Sequence, residues 1–272
     1  MPQQRKLSVY WLVFCLLVLP ATAAAADEFS APGPQESAPV RLVTGPHYPP
    51  LAADYLPYNG LGAFLVRRIL EASGSEVSVD LRPWKRAYRE SLAGHYDAVL
   101  PYLETPSRQE DFLFSEPVFK ADTYAYVSAG SDIHADSMTG LEGLTYCNPL
   151  GYADGEKLGQ MRSEGKITRL TAPHLNNCFR MLLAGRADFV KINHYVARYS
   201  LHHSELPHNA IRALPFVVER VSLHLMVPRT RPEAEELVDE FDRIRGRMEA
   251  SGQLNALTSW YLETVELEEE LR

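Results

Sequence analysis

The sequence of 272 residues lacks most features that mark specialised protein classes. It has only three cysteines, which excludes a small disulfide-rich scaffold, and its 46% hydrophobic content excludes an intrinsically disordered chain. Positive charge is in the minority, because the sequence has 27 lysines and arginines but 35 aspartates and glutamates, which gives a formal charge of −8. A chain short of phosphate-neutralising charge is poorly suited to bind nucleic acid. The composition indicates an ordinary globular protein with one large or two small domains.

Long hydrophobic runs are also missing, apart from one near the start of the chain. Residues 7–19 are apolar, follow Arg5 and Lys6, and lead into Pro20 and a row of alanines. The run is shorter than the roughly 20 residues that span a bilayer. Residues 1–26 are therefore predicted to be a cleaved secretory signal peptide, the alternative being an uncleaved anchor. Residues 27–39, rich in Pro, Ser and acidic residues, are predicted to be a disordered lead-in.

Two cysteines, Cys147 and Cys178, remain after such cleavage. An oxidising compartment favours a disulfide between them where the geometry allows it. The alternative is two buried thiols that act as small hydrophobic residues, and sequence spacing does not decide between the two.

Strands and helices are predicted to alternate along the chain, in two series. The first is strand 40–44, helix 60–73, strand 77–81, helix 84–93 and strand 96–100. The second is strand 144–147, helix 156–163, strand 167–170, helix 177–184, strand 188–191, helix 194–201 and strand 211–214. Alternation of this kind predicts an α/β fold, with mainly parallel sheets flanked by helices.

Two further strand-like runs, 122–129 and 221–228, are predicted to connect two lobes as a hinge. Lobe 1 would comprise residues 40–121 plus 227–272, and lobe 2 residues 122–226. Thr230-x-x-Glu233 is predicted to be a capping box that opens a C-terminal helix. The pattern L-A-G-x-x-D-x-V occurs at residues 92–99 and again at 183–190, as expected where a helix ends on glycine before a buried strand.

Ligands of open α/β sheets bind beyond the carboxyl ends of the strands. That rule selects residues 45–48, 101–108, 148–152 and 192–193. Their side chains suit a small anionic or zwitterionic ligand, with Arg108 on a carboxylate and tyrosines over apolar parts. Two alternatives stay open: Arg108 could cap a short helix or pair with neighbouring acids, and Trp84 could be core packing.

Several motifs resemble a known family: Tyr48-Pro49-Pro50, P-W-K-R-A at 83–87, T-P-S-R at 105–108 and F-S-x-P at 114–117. From about residue 40 to 262 the chain resembles the family 3 extracellular solute-binding proteins, the polar amino acid receptors of ABC transporters. The resemblance implies a type II periplasmic binding protein fold, whose two lobes close on the ligand. It also implies a periplasmic monomer that needs no cofactor and delivers its solute to an inner-membrane ABC permease.

The same resemblance assigns Arg108 to the ligand carboxylate and Tyr48 to stacking. The full candidate ligand-binding set is Tyr48, Trp84, Tyr102, Glu104, Thr105, Arg108, Gly151, Tyr152 and Asn193. Asn193 stands where the family has an aspartate that receives a ligand ammonium. The predicted solute therefore carries a carboxylate, with a neutral or weakly cationic other end. The alternative is that Asp154 or Glu156 takes the ammonium.

Two other functions remain as alternatives. One is an enzyme similar to periplasmic cyclohexadienyl dehydratase, with Glu104 as the acid in the cleft, and the other is a solute sensor for a signalling partner. G-x-S-x-G, H-E-x-x-H and P-loop motifs do not occur. His194, His202, His203 and His208 lack the i, i+4 spacing of helical metal ligands, so no metal site is expected.

Overall fold

The computed structural model describes residues 38–207 and 209–270, with backbone only for 266–270. The predicted signal peptide, nearly all of the predicted lead-in and His208 lie outside the described residues. In the described part, no helix combines the length and the apolar character that crossing a bilayer requires.

Strands and helices alternate as the sequence predicts. The strands are β1 Val40–Thr44, β2 Val77–Leu81, β3 Ala98–Leu103, β4 Phe112–Phe114, β5 Phe119–Ser128, β6 Thr145–Pro149, β7 Thr168–Ala172, β8 Phe189–Asn193, β9 Ile211–Ala213 and β10 Glu219–Pro228. The helices are α1 Leu61–Glu71, α2 Trp84–Leu92, α3 Pro106–Gln109, α4 Glu156–Ser163, α5 Leu175–Leu183, α6 His194–His202, α7 Ala234–Ala250 and α8 Gln253–Glu270. The predicted α/β class is confirmed.

The ten strands of the described chain form one sheet, in which eight follow the order β2-β1-β3-β10-β5-β8-β6-β7, while β4 pairs with β10 and β9 pairs with β5. Strands β1, β2 and β3 are parallel at one end of the sheet, and β6, β7 and β8 are parallel at the other. The two ten-residue strands β5 and β10 lie antiparallel between them, and each also pairs with one of the parallel sets. They contain the two runs predicted to cross between lobes, except that β5 ends at Ser128, one residue before the end of the predicted run 122–129.

Two local predictions were wrong. Strand β9 does not extend the parallel set but pairs antiparallel with the end of β5, because a sequence pattern identifies a strand without identifying its neighbour. The capping box does not form: Glu233 itself precedes α7 with a left-handed φ of 55° and makes no side-chain cap bond. Arg231 donates instead to the carbonyl oxygens of Pro232 and Glu233.

The repeated L-A-G-x-x-D pattern has the same role at both occurrences. Gly94 and Gly185 end α2 and α5 with φ of 78° and 66°, a left-handed conformation that glycine adopts without strain. Asp97 then accepts the backbone N–H of Arg41 at 2.8 Å, and Asp188 accepts that of Thr145 at 2.7 Å. Each aspartate thereby fixes the register at the start of the adjacent parallel strand.

The C-terminal helices pack on the part of the chain that holds β1 to β3. Phe64 of α1 lies 5.3 Å, centroid to centroid, from Tyr261 of α8. The Tyr261 hydroxyl donates to the Pro57 carbonyl oxygen at 2.8 Å, and Phe241 of α7 is fully buried.

Cys147 of β6 and Cys178 of α5 form a disulfide, with their Cα atoms 5.3 Å apart and both side chains fully buried. The bond ties the helix to the strand whose next residue, Asn148, faces the candidate site described below.

Candidate ligand-binding site

A cavity of about 80 Å³ lies where strands from both ends of the sheet terminate beside β5 and β10. A single water needs about 10–15 Å³ on the same measure, so the space suits a small organic molecule. Aromatic and apolar side chains supply most of the wall, with a few polar groups among them. The lining residues are Tyr48, Trp84, Pro101, Tyr102, Leu103, Arg108, Thr123, Asn148, Gly151, Tyr152, Ala153, Lys191, Ile192, Asn193, Val221 and Leu223.

Seven of the nine candidate residues line this cavity, and Glu104 and Thr105 do not. Glu104 is exposed and accepts a hydrogen bond from Gln109 at 2.7 Å. The Thr105 hydroxyl lies 3.3 Å from that of Ser107. Both residues occupy the turn into α3, which carries them away from the cavity while Arg108, one helical turn later, reaches it. Ligand contact by the other seven stays a prediction.

Arg108 is a partly buried cation at the cavity wall. Its Nη1 donates to the Leu103 carbonyl oxygen at 2.6 Å, and its guanidinium carbon lies 4.7 Å from the centre of the Tyr102 ring. Burial lowers the pKa of this guanidinium, and no carboxylate of the described residues offsets that effect. Pairing with Glu110 or Asp111, the alternative for this residue, is not seen. The arginine therefore retains the capacity to bind an anion.

Aromatic rings enclose the same space. Trp84 lies edge-on to Tyr102 with centroids 5.4 Å apart, and Tyr48 lies edge-on to Tyr152 at 5.2 Å. Trp84 Nε1 donates to the Pro46 carbonyl oxygen at 2.9 Å, and the Tyr102 hydroxyl donates to the Trp84 carbonyl oxygen at 2.8 Å. These bonds hold the rings in fixed orientations. Trp84 packs against the hydrophobic core and also lines the cavity.

Two hydrogen bonds connect the loop after β1 with the part of the chain that contains β6 and β8. Asn193 Nδ2 donates to the Tyr48 hydroxyl oxygen at 2.7 Å, and the Tyr152 hydroxyl donates to the His47 carbonyl oxygen at 3.1 Å. Burial raises the pKa of both tyrosine hydroxyls, so they remain neutral donors and acceptors. The contacts bring the two ends of the sheet together over the cavity.

Asn193 has a structural task in addition to its place at the cavity. Its Oδ1 accepts the backbone N–H of Val196 at 3.0 Å, which caps the N-terminus of α6. Both polar atoms of the amide therefore have protein partners.

Two polar residues of the lining, Thr123 and Lys191, were not predicted from the sequence, and Asn148 lay in a selected loop without being named as a candidate. Lys191 is the one charged residue among the five buried residues of β8, and that contrast was the signal that could have identified it. Asn148 Nδ2 donates to the Ala153 carbonyl oxygen at 3.2 Å and to Asp154 Oδ1 at 3.0 Å. Thr123 was not predicted, because β5 reaches the cavity through pairing with strands that are distant in the sequence.

Among the residues that the structure describes, no carboxylate lines the cavity. The alternative ammonium acceptors are placed elsewhere: Glu156 is exposed, and Asp154 pairs with Arg162 at 3.0 Å and with Arg169 at 2.8 Å. Within residues 38–207 and 209–270, no three His, Cys, Asp or Glu side chains are grouped to hold a metal ion.

A model of the bacterial extracellular solute-binding proteins, family 3, matches residues 40–264, so the chain belongs to this family. The comparison with curated proteins gives no match.

Solved structures share the fold at low identity. A histidine kinase sensor domain with similarity to periplasmic binding proteins is 18% identical, with 84% of this chain and 97% of that chain covered and a TM-score of 0.70. An arginine 3rd transport system periplasmic binding protein from Legionella pneumophila is 17% identical, with 83% and 100% covered and a TM-score of 0.68. The GluR0 ligand-binding core from Nostoc punctiforme in complex with L-glutamate is 17% identical, with 82% and 99% covered and a TM-score of 0.65. The predicted type II periplasmic binding protein fold is confirmed.

Proposed function

We propose that this protein is a periplasmic receptor of an ABC-type importer that binds a small carboxylate-bearing solute and delivers it to an inner-membrane permease. Family membership supports the class of function. The observation that carries the proposal is Arg108, a partly buried guanidinium at an aromatic-walled cavity with no carboxylate partner among the described residues. A fork of N–H donors in that setting suits a planar carboxylate.

In the proposed mechanism, residues 40–121 plus 227–272 form one lobe and residues 122–226 the other. Strands β5 and β10 connect them, and the Tyr48–Asn193 and Tyr152–His47 hydrogen bonds join them across the cavity. A solute that contacts both lobes stabilises the closed arrangement, and the permease recognises that arrangement.

The proposal assigns no catalytic role. The enzyme alternative requires an acid in the cleft, and its candidate, Glu104, is exposed and bonded to Gln109 outside the cavity. The described lining itself contains no carboxylate to move a proton.

Calorimetric titration tests the proposal directly. Small carboxylates are titrated into the wild type, each beside its uncharged primary amide, so that the two probes differ only at the carboxylate. The proposal expects saturable binding of at least one carboxylate and none of its amide. Equal binding of an acid and its amide would contradict the role given to Arg108.

Asn193→Asp is expected to add binding of zwitterionic amino acids. The new carboxylate can still accept the Val196 N–H and can accept the Tyr48 hydroxyl, so α6 keeps its cap while the cavity gains an acid. A charge-assisted bond to a ligand ammonium is worth about 1.5–3 kcal/mol, or about tenfold or more in affinity. Titration of the wild type and the variant with the twenty amino acids measures the gain.

Asn193→Leu is the matched control, because it removes the amide without adding charge. Tight binding of an ordinary α-amino acid by the wild type, retained in Asn193→Leu, would show that another group receives the ammonium.

A further inference from the structure

Lys191 places a second positive charge at the cavity. Its side chain is only 6% exposed, and its Nζ donates to the Asp154 carbonyl oxygen at 3.1 Å and to Glu219 Oε2 at 3.0 Å. Neither member of this ion pair was predicted from the sequence. A buried ammonium requires a partner, and Glu219 supplies it.

Glu219 is held firmly in that position. Its Oε1 accepts the backbone N–H of Glu156 at 2.8 Å, at the start of α4. Gly155 lies directly against the carboxylate, and a Cβ at that position would overlap it. Glu219 does not itself line the cavity, so it neutralises the charge of Lys191 from outside the cavity.

No other described acid competes for Lys191. Asp154 is near in sequence, but its two carboxylate oxygens are taken by Arg162 and Arg169. Lys191 and Glu219 together contribute no net charge, whereas Arg108 contributes one uncompensated positive charge. The described lining is otherwise neutral.

We propose that Glu219 sets the charge of the ligand: because it cancels Lys191, the cavity accepts a small monocarboxylate whose remainder is neutral. This inference rests on the proposed solute-binding function. A zwitterion would bring an ammonium to a cavity without an acid, and a dicarboxylate would bring a second anion close to Glu219. Removing the Glu219 charge leaves Lys191 free to bind that second anion.

The experiment uses three matched sets of solutes, each with a hydroxy acid, an amino acid and a dicarboxylate of the same carbon number. They are lactate, alanine and malonate; 2-hydroxybutyrate, 2-aminobutyrate and succinate; and 2-hydroxyvalerate, norvaline and glutarate. Calorimetry with the wild type is expected to rank the hydroxy acid first in the set that binds. In Glu219→Gln, the affinity for the dicarboxylate relative to the hydroxy acid is expected to rise about tenfold or more.

Two variants isolate the cause, and circular dichroism verifies that each is folded. Glu142→Gln removes one charge from an exposed Lys–Glu pair with Lys166 and should leave the ranking unchanged. Lys191→Met combined with Glu219→Gln should abolish the gain for dicarboxylates, because the freed ammonium is gone. A folded Glu219→Gln with the wild-type ranking, or a gain that persists in the double variant, would overturn the inference and leave the receptor proposal standing. A wild type that prefers the amino acid would also overturn it, whereas binding of no carboxylate at all would overturn both.

Discussion

Arg108→Ala is expected to weaken solute binding at least about tenfold while leaving the free energy of unfolding nearly unchanged. The guanidinium is the one uncompensated cation of the described lining, and loss of a charge-assisted pair costs about 1.5–3 kcal/mol. Within the protein the guanidinium has one hydrogen bond, to a carbonyl oxygen, and a contact with the Tyr102 ring. Removal of the buried charge offsets the loss of these two contacts, so folding loses little. Calorimetry measures the affinity, and urea unfolding measures the stability.

Arg186→Ala is the matched control, since Arg186 is an exposed arginine and does not line the cavity. Arg108→Lys keeps the charge but loses the fork of donors, and its affinity should fall between those of the wild type and Arg108→Ala. An Arg108→Ala protein that binds like the wild type would make Arg108 a structural residue.

Replacing both Cys147 and Cys178 with alanine is expected to lower the free energy of unfolding by about 3–4 kcal/mol. The disulfide closes a loop of sequence separation 31, and loss of that cross-link restores chain entropy to the unfolded state. Because Asn148 follows Cys147 and lines the cavity, solute affinity should also decrease. Urea unfolding of the folded variant measures the change in stability.

Reduction of the wild-type protein is the control for this prediction. It breaks the same bond without removing the buried sulfur atoms, so most of the stability loss should remain. A double variant with the same free energy of unfolding as the wild type would contradict the prediction and show that the cross-link does not stabilise the fold.

Local patterns predicted most of the secondary structure, because helix and strand periodicity and the L-A-G-x-x-D joints are properties of neighbouring residues. Strand β1 and helix α4 have their predicted bounds. The pairing of β9 and the start of α7 depend on contacts distant in sequence, so the patterns did not reveal them.

The strand-end rule selected the loops that supply Tyr48, Arg108 and Asn148 to the cavity. It missed Lys191, which lies within a strand, and its partner Glu219, which belongs to β10 and meets Lys191 only through the order of the sheet. Glu104, a candidate from the same loop as Arg108, does not line the cavity, because adjacent residues of a turn point in different directions. Charge balance in the site is therefore a property of the tertiary structure.

Native mass spectrometry of protein purified without refolding tests the central claim most directly. The account predicts that the wild type carries a small bound acid, released on unfolding, with one carboxylate and no ammonium group. It also predicts that Arg108→Ala, purified in parallel, carries none. The same mass retained by both proteins, or a retained solute without a carboxylate, would contradict the account.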